Sequence, residues 1–146
     1  MRETSSDILN QFVLTKNLVK SYWSELMEAR NDIIGVAETT NDFRTLDDMR
    51  EAVKKFGIPV RYLVNNIAWE RLNEYWLCKD KVQVLLSHLE DPEEYAVMSH
   101  LYLLTEDAGE AARVLNIPIT KVRKLRESAI EHLDFYLGIN PEEQFY

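Results

Sequence analysis

Residues 119–126 read Ile-Thr-Lys-Val-Arg-Lys-Leu-Arg and set Thr120, Lys121, Arg123, Lys124 and Arg126 around the apolar positions Val122 and Leu125. On a helix this spacing gives a cationic arc opposite an apolar stripe. Guanidinium and ammonium groups so arranged suit a major groove, where they fork onto guanine edges or neutralise phosphates. The same pattern also describes the solvated face of an amphipathic helix in a bundle, and the residues alone leave these two readings level.

The flanking sequence supplies the elements that would position that arc. Thr105 can cap a helix with Glu106 and Asp107 in its first turn, where acids favour the helix dipole. That helix is expected to end near Asn116, a residue that tolerates the left-handed conformation of a helix stop. Pro118 then opens a second helix at no hydrogen-bonding cost, with Thr120 as the cap if the start slips by two residues. Two helices crossing over a turn of about three to four residues need a small side chain where they meet, and Ala111 or Ala112 supplies it. Val114, Leu115, Ile117, Val122, Leu125, Ala129, Ile130 and Leu133 are the expected shared core.

The segment IPITKVRKLRESAIEHL resembles the last helices of bacterial sigma-factor region 4. Val122, Arg123, Leu125, Ala129, Ile130 and Leu133 match in register, and Glu110, Ala112, Leu115 and Ile117 match the preceding helix. The likeness covers about 30 residues of the 146. Phage late-gene regulators of the RinA and ArpU type are similar in layout, with an N-terminal helical segment followed by a terminal region-4-like helix-turn-helix. The resemblance implies a DNA-reading role for Thr120, Lys121, Arg123, Lys124 and Arg126. The chain departs from sigma factors where they read bases: Ile119 and Thr120 replace the usual Arg and Glu, Lys124 replaces Gln, and Asn116 stands at the usual turn Gly.

An internal echo points to a second unit. EAVKKFGIPV at 51–60 aligns without a gap with EAARVLNIPI at 110–119. With Thr45 followed by Asp47 and Asp48 as a capping pattern and Gly57 as a stop, a helix-turn-helix is expected over about 45–72. Its second helix, from Pro59 onward, would expose Arg61, Tyr62, Asn65 and Asn66 as a second candidate DNA-binding set, since Asn pairs with adenine. Generic turn chemistry shared by two packing units explains the echo equally well.

The chain as a whole bounds these readings. Its 146 residues, 46% hydrophobic, suffice for one domain or two small lobes. Four Gly, four Pro and few alternating β-branched runs make it all-α, with loops near 38–45, 89–92, 105 and 116–118. Ile8, Phe12, Val19, Trp23, Leu26 and Ile33 predict one long amphipathic helix from Ser6 to about Val36, either packed across the monomer or forming a homodimer interface. A helical run from Val60 through Leu89 follows, and Asp91 and Pro92 start the helix that leads into the C-terminal unit. The expected organisation is thus an N-terminal helical or dimerisation segment (1–44), a central helical unit (45–90) and a C-terminal region-4-like unit (91–146).

A net charge of −8 opposes nucleic-acid binding, but the charge is segregated. Residues 51–81 and 110–133 each carry +2, and the rest of the chain carries −12. A lone Cys78 excludes an internal disulfide and fits a reducing cytoplasm, and no apolar run is long enough to span or anchor in a membrane. His88, His100 and His132 lack metal-ligand spacing, and no Gly-rich phosphate loop or nucleophile elbow is present. The expectation is therefore no enzyme, no catalytic or metal-binding residue and no cofactor. The resemblance implies a sequence-specific transcriptional regulator of phage or mobile-element type on double-stranded DNA; a small terminase or replication-initiation subunit is a further reading, and a helical interaction module is the alternative from a different class. That module would be an antirepressor, anti-activator or adaptor that grips RNA polymerase or another regulator.

Overall fold

Thr4 and Asp7 open the first helix reciprocally: the Asp7 amide donates to Thr4 Oγ1 (3.1 Å) and the Thr4 amide to Asp7 Oδ2 (2.9 Å). The Thr4 backbone amide, and after it the Thr4 hydroxyl, bond the Asp7 carboxylate and hold it below its ordinary value. In the computed structural model, which describes residues 3–34, 44–57, 59, 62–104 and 107–139, every regular element is helical. They are α1 (Ser5–Lys20), α2 (Trp23–Ile34), α3 (Arg44–Phe56), α4 (Asn66–Leu86), α5 (Pro92–Ser99), a π-helical turn (His100–Leu104), α6 (Ala108–Leu115) and α7 (Ile119–Tyr136). No helix among the described residues is long and apolar enough to cross a membrane.

The long N-terminal helix expected from Ser6 to about Val36 is broken at Ser21 and Tyr22. Ser21 Oγ takes the Leu18 carbonyl at 2.6 Å, and the Ser21 and Tyr22 amides bond three residues back, to Leu18 and Val19. A hydroxyl competing for a backbone carbonyl in this way ends an α-helix. Of the expected stripe, Ile8, Phe12, Val19 and Leu26 are buried, and Trp23 and Ile33 half-buried.

Contacts divide the chain into two units, one formed by Leu14–Leu77 and the other by Met1–Val13 with Cys78–Tyr146. In the first, α2 packs on α3, with Leu26, Met27, Ala29, Leu46, Met49, Leu72 and Tyr75 enclosed. Arg30 is buried along its stem and reaches Asp48 at 3.5 Å. Trp76 and Trp69 meet in a T-shaped pair with centroids 5.9 Å apart, and the Arg50 guanidinium lies over the Trp76 ring at 5.7 Å.

The expected central helix-turn-helix is not formed. Gly57 stops α3 at φ +65, and α4 begins at Asn66, after Leu63, Val64 and Asn65, which are not helical. Asn65 sets that later start by accepting the Ala68 amide at 2.7 Å. The apolar register explains why the cap wins: the buried stripe is Val64, Ala68, Leu72, Tyr75 and Trp76, whereas Leu63 and Ile67 point outward. Thr45 lies inside α3 rather than before it. The loop expected at 38–45 falls largely outside the described residues, and its last two positions are helical.

In the second unit α7 is the shared support: α5 and α6 both pack on it, and α6 also meets α5 and the π-helical turn. Val97, Met98, Ala111, Val122, Ala129 and Leu133 form its enclosed core. Asp134 on α7 accepts from the Ser5 amide (2.8 Å) and hydroxyl (2.7 Å), which places a carboxylate at the positive end of α1. As expected, Asp91 caps α5 by accepting the Glu93 amide at 2.9 Å, with Pro92 first in the helix.

Candidate nucleic-acid interface

Three residues, Asn116, Ile117 and Pro118, separate α6 from α7. Asn116 adopts φ 56, ψ 48, the left-handed stop expected of it, and the Ile117 amide returns to the Ala112 carbonyl at 3.0 Å. Pro118 stands one position before the first helical residue rather than in it, and its carbonyl receives the Lys121 and Val122 amides. Thr120 therefore lies within the helix and is not its cap. The start of α6 also differs from expectation: Asp107 is its cap, accepting the Gly109 amide at 3.2 Å, and Thr105 and Glu106 lie outside the described residues. An Asp caps as well as a Thr, so sequence could not choose between neighbours in Thr-Glu-Asp.

The small residue at the crossing is Ala111, fully enclosed, with Ala112 half-buried. Of the expected core, Val122, Ala129 and Leu133 are buried and Leu115, Ile117, Leu125 and Ile130 half-buried. Val114 lies outside the expected core: it is 48% exposed, because α6 is only two turns long and its inner face is taken by Ala111 and Leu115.

Helical geometry sorts the candidate cations. At about 100° per residue, Thr120, Arg123 and Lys124 occupy the middle of the outer arc, with Lys121 and Arg126 on opposite flanks. The flanking pair is engaged by the helical run from Pro92 to Leu104. Lys121 Nζ meets Glu93 Oε2 at 2.9 Å, and Arg126 donates from Nε and Nη2 to the Tyr102 hydroxyl at 3.1 and 3.0 Å. Thr120, Arg123 and Lys124 are exposed, and neither Arg123 nor Lys124 has an ion-pair partner among the described residues. Arg113 on α6 is neutralised by Glu110, whose carboxyl this pairing holds below its ordinary value.

The second candidate set is not brought together in the same way. Tyr62 is exposed and Asn66 is exposed at the first turn of α4. Asn65 is occupied by capping and by a hydrogen bond that its Nδ2 donates to the Glu25 carboxylate, and Arg61 lies outside the described residues.

Sequence reasoning missed a buried carboxylate behind the arc. Glu94 on α5 is almost fully enclosed and accepts from Ser128 Oγ at 2.9 Å, while His132 Nδ1 lies 2.6 Å from its Oε1. A Glu in Pro-Glu-Glu-Tyr reads as a solvated acid, and only its facing partners on α7 show otherwise. Ser128 and His132 thus both bond the one carboxylate. Among the described residues no three His, Cys, Asp or Glu side chains converge as a metal ion requires.

The hydrogen bond that His132 donates to the Glu94 carboxylate raises the His132 pKa above its ordinary value. A group whose folded pKa is raised contributes stability in full below its unfolded value, about 6.5 for His, and loses it as pH rises through the folded value. His132→Gln is therefore expected to destabilise the protein most near and below that pH, with the deficit shrinking as pH rises. Urea denaturation across the pH series checks this, and a deficit independent of pH would contradict it.

No protein-family model, curated protein or solved structure matches the chain.

Proposed function

We propose that the protein is a sequence-specific DNA-binding transcriptional regulator of phage or mobile-element type, which reads double-stranded DNA with the N-terminal half of α7. The observation that carries this reading is the exposed centre of the α7 arc, Thr120, Arg123 and Lys124, directly behind a three-residue turn. The resemblance of this segment to sigma-factor region 4 supports it, as does the +2 charge of residues 110–133 in a chain of −8. The flanking Lys121 adds to the arc on contact with DNA. Its pairing with Glu93 is half-exposed and worth about 0–1 kcal/mol, so a phosphate can replace that carboxylate. Arg126, held by two bonds to a part-buried hydroxyl, positions the helix more than it reads.

A dimer of this chain would add affinity by presenting two arcs to two half-sites. The second reading, an adaptor for polymerase or another regulator, is favoured by the engagement of two of the four cations with the protein's own Glu93 and Tyr102. Selection of bound sequences from a random duplex library at about physiological salt tests the proposal, because nonspecific phosphate attraction is weakened there.

A further inference from the structure

α7 changes character along its length. Its first two turns are cationic, whereas its C-terminal end carries Phe135, 83% exposed, beside Tyr136, 52% exposed. The two ends are about 18 Å apart at 1.5 Å per residue. The two adjacent aromatic rings are flanked by grooves on both sides of Phe135. One, of about 650 Å³, is lined by Ile130, Glu131, Asp134, Phe135 and Ile139. The other, of about 480 Å³, is lined by His88, Glu90, Asp91, Phe135 and Tyr136, with His88 stacked on Tyr136 at 3.7 Å. Every residue here belongs to the unit built on α7.

Charge says what fits. Glu90 and Asp91 border one groove and Glu131 and Asp134 the other, and among the described residues no Lys or Arg lines either. His132, at the edge of the second, is partnered by Glu94. Two acidic grooves on either side of an exposed ring complement cationic side chains whose stems lie along an aromatic face, where cation–π and carboxylate attraction act together. We infer that this end of α7 is a docking surface for a basic segment of a partner protein, with Lys or Arg in the grooves and an apolar residue over Phe135. The surface is separate from the DNA-reading arc, so the two assignments stand or fall independently.

The probe is a short fluorescein-labelled peptide of alternating Arg and Leu, followed by fluorescence anisotropy with the full chain. A control peptide has Glu in place of Arg. Binding of the Arg peptide is expected to weaken as salt rises, and Phe135→Ser to weaken it about tenfold, the loss of one aromatic anchor. Glu90→Lys with Glu131→Lys should do the same through charge. Each of these side chains is exposed, so folding should be retained, and the charge variant keeps the test decisive should Phe135→Ser unfold. Equal binding of the Glu peptide, undiminished binding by both variants, or no binding would overturn the inference. So would self-association abolished by the same substitutions without peptide binding, since a second copy of the chain would then be the occupant.

Discussion

Arg123→Ala combined with Lys124→Ala is expected to abolish specific DNA binding while leaving helicity and melting unchanged. Both side chains are exposed and have no ion-pair partner among the described residues, so their removal falls in the class of surface changes worth within about 0.5 kcal/mol of stability. On DNA the same pair carries far more. A good base contact discriminates by about 1–3 kcal/mol, so two together give about 2–6 kcal/mol, at least about 30-fold in affinity. If one of them contacts phosphate instead, the slope of log affinity against log salt should fall by about 1. Competition binding and circular dichroism on the same preparation separate the two effects. A double variant that still binds its selected duplex as tightly as the unaltered chain would sink the assignment of α7 as the reading helix.

The second large effect is on stability. Leu133 is fully enclosed on α7, and Leu133→Ala should cost about 2–5 kcal/mol through lost transfer energy and the cavity left behind. Val114→Ala, by contrast, should change stability by less than about 0.5 kcal/mol, because that side chain is 48% exposed. Denaturant unfolding of the two variants is a direct check, since the hydrophobic pattern alone places both in one core. Comparable losses would mean that α6 presents a different face to α7.

Where one residue type had one conformational role, sequence read the structure well. Asn116 as a left-handed stop, the Asp91 and Pro92 helix start, and the all-helical class follow from backbone chemistry that few neighbours can override. Failures came where two equally good local signals competed. Thr-Glu-Asp offers two caps, and Asp107 takes the role in α6. Gly-Ile-Pro resembles Asn-Ile-Pro, yet α4 waits for Asn65 because the buried face runs through Ala68 and Leu72. Ser21 breaks an unbroken apolar stripe through a single hydroxyl bond that periodicity does not register.

In the candidate interface, sequence identified the five side chains of the arc but not which of them are committed elsewhere. Glu93 and Tyr102, which engage the flanks, lie about 20–30 residues upstream with nothing local to mark them. Glu94 was hidden for the same reason: burial of a carboxylate depends on Ser128 and His132 facing it from another helix.

The most direct test of the central claim is selection from a random-sequence duplex library by the purified chain at about 0.15 M salt, where attraction to phosphate alone is weakened. Enrichment of one motif, lost on replacing Arg123 and Lys124, is the predicted result, and paired half-sites would identify the dimer as the reading species. Recovery of unenriched sequence, with binding that simply declines as salt rises, would contradict a sequence-reading role for α7.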